Sequence, residues 1–200
     1  MVSYPNAVAL TGGIATGKST TCNLLKLYGF HIIDADTVVH QVLDEEAPHI
    51  EQLFGKEYVQ EGRVNRKKLG ALVFGNKEER LKLEKLLHPK IKKRILELAQ
   101  REERFGVPYF VDIPLLYERG DYPFEKVVVV YAPKEVQIER LRKRERLSLE
   151  EAKLRLAAQM DIEEKKRLAD YVIDNSKDLK HLQAQIESFI ERIKDDFGIG

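Results

Sequence analysis

"LTGGIATGKSTT", residues 10–21, decides the fold. Within it Gly12, four further residues, Gly17, Lys18 and Ser19 match the pattern G-x-x-x-x-G-K-[ST] in full. An apolar run, "AVALT" at 7–11, precedes the motif and a helical pattern follows it, which is the strand, loop and helix setting the motif requires. Successive backbone N–H groups, with glycines that let the chain curl tightly, make an anion cradle at a helix N-terminus. Lys18 is expected to reach the terminal phosphates of a nucleotide, and Ser19 to ligate Mg²⁺.

Outward from this loop, short apolar runs alternate with helical patterns, which predicts a parallel sheet with crossover helices. The remaining strand candidates are "HIID" (31–34), "YFVDI" (109–113), "KVVVVYA" (126–132) and "DYVIDN" (170–175). Helical patterns place Leu24, Leu25 and Tyr28 on one side of a helix that stops at Gly29. Leu83, Leu87, Ile91, Ile95 and Leu98 recur near a 3.6 period, as do Leu182, Ile186, Phe189, Ile190 and Ile193. Crossovers need only about a dozen residues, yet residues 35–108 separate the second and third strands in an almost wholly helical pattern. The expected fold is α/β of the P-loop NTPase type, a five-stranded parallel sheet flanked by helices. Its expected nucleotide-binding core is 1–34 with 107–200, including a helical lid at about 139–167, and 35–106 form a helical insertion.

Composition limits the partners. Lys and Arg number 34 against 33 Asp and Glu, so the formal net charge of +1 provides no global field for nucleic acid or an anionic membrane. The single cysteine, Cys22, cannot form an intramolecular disulfide and is expected as a buried thiol, which fits a reducing cytosol. "MVSYPNAVAL" shows no basic-then-apolar leader, and no apolar run approaches a membrane span, so a cytoplasmic protein is expected.

A nucleotide-binding loop does not by itself say what receives the phosphoryl group. A guanine-reading Asn-Lys-x-Asp has only "NKEE" (76–79) as a counterpart, where Asn76 is expected to cap a helix. A small-molecule kinase is the leading class, because inserted segments provide an acceptor pocket and exclude water. "FHIIDADTVVHQVL" (30–43) places Asp34 and Asp36 at the exit of the second strand. A carboxylate there can orient an acceptor hydroxyl and take its proton, while one of the two caps the next helix; Asp36 is the expected catalytic one.

Taken together, "LTGGIATGKST" (10–20), "IIDAD" (32–36), "LLHPKI" (86–91), "VDIPLLYE" (111–118), "RLAAQM" (155–160) and "ADYVIDN" (169–175) resemble the dephospho-coenzyme A kinase family in order and spacing. The resemblance implies transfer of the γ-phosphoryl of ATP, with Mg²⁺, to the ribose 3′-hydroxyl of dephospho-coenzyme A. It implies that Gly12, Gly13 and Ala15 through Thr20 (Ala15, Thr16, Gly17, Lys18, Ser19, Thr20) line the ATP phosphates and that Asp36 activates the hydroxyl. His88 and Pro89 then belong to the acceptor-binding insertion, although His88 alone reads as a helix-packing residue. Asp112 is implied as a ligand of Mg²⁺ through water, and Pro114, Leu115 and Leu116 turn the chain over the acceptor. Family members commonly carry Gly-Ser where this chain has Ala15-Thr16, so Ala15 must fit a position that is often glycine.

"ERLRKRER" (139–146) holds five basic and two acidic residues, the pattern of a solvated helix face or a lid. The resemblance points to Arg144 and Arg155 as groups that stabilise charge on the transferred phosphoryl. Asn175 is expected either at the adenine or its ribose or as a turn residue. ATP and dephospho-coenzyme A are the expected partners of a monomer or small homo-oligomer that engages neither nucleic acid nor membrane. The rivals are a nucleoside- or nucleotide-monophosphate kinase and, from another class, a nucleotide-dependent regulatory or nucleic-acid-binding module.

Overall fold

The computed structural model describes residues 3–199. Its contacts divide into two compact units: one runs to Ile33 and resumes at Ala99, and the other is Asp34–Leu98.

Along the chain the elements are β1 (Ala7–Gly12), α1 (Lys18–Leu27), β2 (Ile32–Asp34), α2 (Ala35–Glu45), α3 (Ala47–Phe54), β3 (Val59–Gln60), β4 (Arg63–Val64), α4 (Arg66–Gly75) and α5 (Lys77–Glu102). They continue with β5 (Tyr109–Asp112), α6 (Leu116–Arg119), β6 (Lys126–Tyr131), α7 (Lys134–Glu145), α8 (Leu149–Ala157), α9 (Ile162–Leu168), β7 (Tyr171–Asp174) and α10 (Leu179–Phe197).

The first unit is built on a five-stranded parallel sheet in the order β2-β5-β1-β6-β7, as the sequence predicts. β1 is flanked on both edges, and all six of its residues are buried, so it reads as a continuous apolar run rather than an alternation. Register pairs Leu10 with both Asp112 and Val128, which brings the carboxylate at the end of β5 beside the start of the glycine loop. On one face of the sheet, Val8, Leu10, Phe110, Val128, Val130 and Ile173 pack with Cys22 and Leu25 of α1. Leu182, Ile186, Phe189, Ile190 and Ile193 of α10 complete this core. Burial of each large aliphatic side chain contributes about 1.5–3 kcal/mol.

The end of α1 follows from Gly29, whose φ of 91° suits a residue without Cβ. Its N–H bonds to the Lys26 carbonyl and that of Phe30 to the Leu25 carbonyl, the paired bonds of a Schellman turn. Tyr28 departs from the expected apolar side: it is exposed, and its hydroxyl donates to Glu187 at 2.6 Å.

The second unit adds to its helices a short hairpin that was not expected. β3 and β4 form an antiparallel hairpin pairing Val59 with Val64 and Gln60 with Arg63. Glu61 (φ 51°) and Gly62 (φ 75°) make its turn, with positive φ at both central residues. Strands of two residues are too short to display a period-2 pattern against helical neighbours. Asn76 caps α5 as expected, its side-chain oxygen accepting from the N–H groups of Glu78 (2.9 Å) and Glu79 (3.3 Å). Among the described residues no helix is long and apolar enough to cross a membrane.

Candidate active site

The loop from Gly12 to Lys18 curls because its carbonyls are held from outside. In a planar trans peptide the N–H points opposite to the preceding C=O, so fixing a carbonyl also aims the next amide. The Gly12 carbonyl accepts from Lys165 Nζ (3.1 Å) and the Thr16 carbonyl from Asn175 Nδ2 (2.8 Å). The Gly17 carbonyl takes the first bonds of α1, from the N–H (3.1 Å) and Oγ1 (3.3 Å) of Thr21. The amides of Gly13, Gly17 and Lys18 are thereby turned to the other side of the chain, which is what anion binding needs.

Two glycines are demanded by space. A Cβ on Gly12 would lie 2.8 Å from the Val130 carbonyl of the neighbouring strand, and one on Gly17 would lie 2.0 Å from Asn175 Nδ2. Ala15 adopts the left-handed region at φ 59°, the conformation that its replacement of glycine puts under strain.

Lys18 Nζ sits between the two carboxylate oxygens of Asp112, at 2.6 and 2.7 Å. Cys22 Sγ donates to Asp112 Oδ2 at 3.4 Å. Burial first, and then the nearby Asp112 charge, pushes the Cys22 thiol up to about 12, so it is a protonated core group and not a nucleophile. The Ser19 hydroxyl is exposed at the second position of α1, as is Thr20 after it. Ser19 and Asp112 are hard oxygen donors of the kind Mg²⁺ accepts beside substrate phosphates and water.

Three of the expected contact residues also hold the structure together. Thr16 is fully buried, and its Oγ1 donates to the Gly13 carbonyl at 2.9 Å, so its side chain shapes the loop. Asn175 is 7% exposed and directs its amide at the loop backbone, so its side chain holds the Thr16 carbonyl. Leu116 is buried at the start of α6 and packs inward, while Pro114 and Leu115 are half-buried. The Pro114 carbonyl accepts from Thr11 Oγ1 at 3.2 Å, which fixes the turn after Asp112 to β1.

Between β6 and β7, Arg144 on α7 and Arg155 on α8 are exposed and share one partner. Arg144 Nη2 lies 2.6 Å from Glu145 Oε1, and Arg155 Nη1 pairs with Glu145 Oε2. The hydrogen bond from Arg144 leads in holding the Glu145 carboxyl below the usual range. The turn between α8 and α9 is tied to the loop, because Gln159 Oε1 accepts the Ile14 N–H at 2.9 Å. Sequence reasoning missed Lys165, Gln159, Glu118 and Glu145. Gln159 and Glu118 left a signal, as the last polar residues of "RLAAQM" and "VDIPLLYE".

In the second unit, Asp34 caps α2: its Oδ1 accepts from the N–H groups of Asp36 (2.9 Å) and Thr37 (3.3 Å). Asp36 lies in the first turn of α2, exposed, and no hydrogen bond or ion pair engages its carboxylate among the described residues. His88 is half-buried within α5, and Pro89 follows it exposed in the same helix, where it can donate no bond to residue 85.

A parallel sheet with this loop, a lysine seated on an acidic strand end and an arginine-bearing helical excursion defines a P-loop kinase. The family model described as dephospho-CoA kinase matches residues 6–181. A dephospho-CoA kinase of Wolinella succinogenes is 49% identical over 201 residues, spanning 100% of both chains. The solved dephospho-CoA kinase of Campylobacter jejuni is 40% identical with a TM-score of 0.80, covering 96% of this chain and 98% of its own. A shikimate kinase from Bacteroides thetaiotaomicron, at 13% identity and TM-score 0.54 over 94% and 98% of the two chains, shares the fold alone. This chain belongs to the dephospho-CoA kinase family.

Proposed function

We propose that the enzyme transfers the γ-phosphoryl group of ATP to the ribose 3′-hydroxyl of dephospho-coenzyme A, yielding coenzyme A and ADP, in the cytoplasm. The observation that carries this reading is the glycine loop with outward-held carbonyls and Lys18 beside Asp112. For the acceptor we assign the insertion at 35–106, with His88 and Pro89, together with Pro114 and Leu115, as the family resemblance implies.

In the reaction, the loop amides and Lys18 bind the β- and γ-phosphates, and Lys18 exchanges Asp112 for phosphate oxygens. Ser19 and Asp112 would hold Mg²⁺, Asp112 through water, and the ion would offset phosphate charge. Asp36 accepts the hydroxyl proton as the acceptor oxygen attacks in line. Arg144 and Arg155 leave Glu145 to meet the charge on the transferred group. Its exposed, unpaired carboxylate supports this role for Asp36, because Asp34 already supplies the helix cap.

The test compares Asp36→Asn with Asp34→Asn in a coupled assay with ATP and Mg²⁺. Asp36→Asn should lower kcat by roughly 10²–10⁴, the scale of a general base, with ATP binding nearly unchanged. Asp34→Asn should cost up to about 0.5–2 kcal/mol of stability and leave turnover intact in the folded fraction. Reversed effects would exchange the two roles. A panel of dephospho-coenzyme A, adenosine, AMP, CMP and dTMP checks the acceptor, and faster turnover of any of the others would overturn the substrate.

A further inference from the structure

Lys165 is the one lysine whose side chain is fully buried among the described residues, yet it lies in a run, "EEKKR" at 163–167, that reads as a solvated helix face. Its ammonium donates to the Gly12 carbonyl (3.1 Å) and lies 2.8 Å from Glu118 Oε1, which also accepts the Met160 N–H at 3.0 Å. One side chain on α9 thus joins the first glycine of the phosphate loop, helix α6 beyond the Asp112 strand, and the root of the lid.

We propose that Lys165 is a positioning residue of the phosphate site, with Glu118 as its counter-ion. Holding the Gly12 carbonyl fixes the plane of the next peptide and so aims the Gly13 N–H away from Lys165, toward the bound phosphates. The ammonium also contributes charge. The Lys165 side chain is 0% exposed and that of Glu118 is 22% exposed, so water screens the carboxylate more than the ammonium. The net field of the pair at the loop is positive, which favours an incoming polyphosphate. A desolvated lysine with two strong acceptors is costly to assemble, and a packing role alone would be met by leucine or methionine. This inference rests on the nucleotide phosphates occupying the glycine loop.

The experiment measures ATP binding by calorimetry, steady-state kinetics and apo-protein melting for wild type, Lys165→Met, Lys165→Arg and Glu118→Gln. Lys165→Met keeps the length and volume and should raise Kd and KM for ATP tenfold or more, leaving KM for dephospho-coenzyme A within about twofold. Glu118→Gln retains the ammonium and an acceptor, and should lower the melting temperature while changing the ATP Kd by less than threefold. Lys165→Arg, which preserves charge and donor, should hold the ATP Kd within threefold. Should Lys165→Met not fold, a tenfold loss of ATP affinity in folded Lys165→Arg overturns the proposal. So does a folded Lys165→Met with lowered melting temperature and unchanged ATP Kd, the result of a purely structural strut. Wild-type protein that fails to bind ATP would sink the kinase reading itself, which separates the two failures.

Discussion

Ala15 holds a left-handed backbone at φ 59° in the middle of the phosphate loop. A Cβ in that region costs about 1–2 kcal/mol, and glycine recovers it at the expense of a more flexible unfolded chain. Ala15→Gly should therefore raise stability by about 0.5–1 kcal/mol, read as a higher urea midpoint, with ATP KM within twofold of wild type. A lower midpoint would show that the loop relies on the methyl group. Cys22 gives a second test at this scale. With its thiol pushed up to about 12, the native protein at pH 8 should resist iodoacetamide, while the urea-unfolded chain should take up one equivalent. The folded value lies above the unfolded one, so this group also withdraws stability as pH rises from about 9 toward 12. Local chemistry was readable before the structure: Lys18 in its motif, Asp34 and Asn76 as caps, Cys22 as core. Lys165 was not, because its partner Gly12 lies 153 positions away and its neighbours in sequence are charged.

At the scale of elements, the helical excursion of α7 and α8 pairs its two candidate arginines with one carboxylate of its own. Glu145 closes α7, and Arg146 after it turns with φ 56°, so α8 comes back to bring Arg155 to the same carboxylate as Arg144. Either arginine must give up Glu145 to reach phosphate. Glu145→Gln weakens that competition and should lower KM for ATP two- to fivefold, with unchanged melting because exposed ion pairs contribute little. Arg144→Ala and Arg155→Ala should separate: the one that meets the transferred group loses kcat and kcat/KM together, and a helix-face arginine loses neither. Equal and negligible effects would remove both from the mechanism. The helical excursion at 139–167 was legible from its length and charged pattern, whereas the Ser148 to Glu151 capping box that starts α8 emerged only with the structure. The Glu145 clamp was hidden, since a carboxylate inside "ERLRKRER" looks like any solvated charge.

For the whole molecule, the proposed assignment of one substrate to each unit predicts different footprints. The long interval between the second and third strands was visible in sequence, but α5 runs unbroken to Glu102, so nothing in the residues marks where contacts return to the first unit at Ala99. Helical periodicity is continuous there, and only tertiary packing divides it. If ATP is held by the loop and lid, ATP and Mg²⁺ alone should slow amide exchange at 10–21 and 139–167. Dephospho-coenzyme A alone should slow exchange within 34–98. A ligand at a hundred times its Kd adds about 2.7 kcal/mol to any opening that releases it, a slowing of up to about 100-fold. Lys18→Ala should abolish turnover and the ATP footprint while preserving the dephospho-coenzyme A footprint, because the lysine serves the phosphates and not the acceptor. Loss of both footprints in that variant would mean that the acceptor is ordered only after the nucleotide. A dephospho-coenzyme A footprint confined to the first unit would overturn the assignment of the insertion to the acceptor.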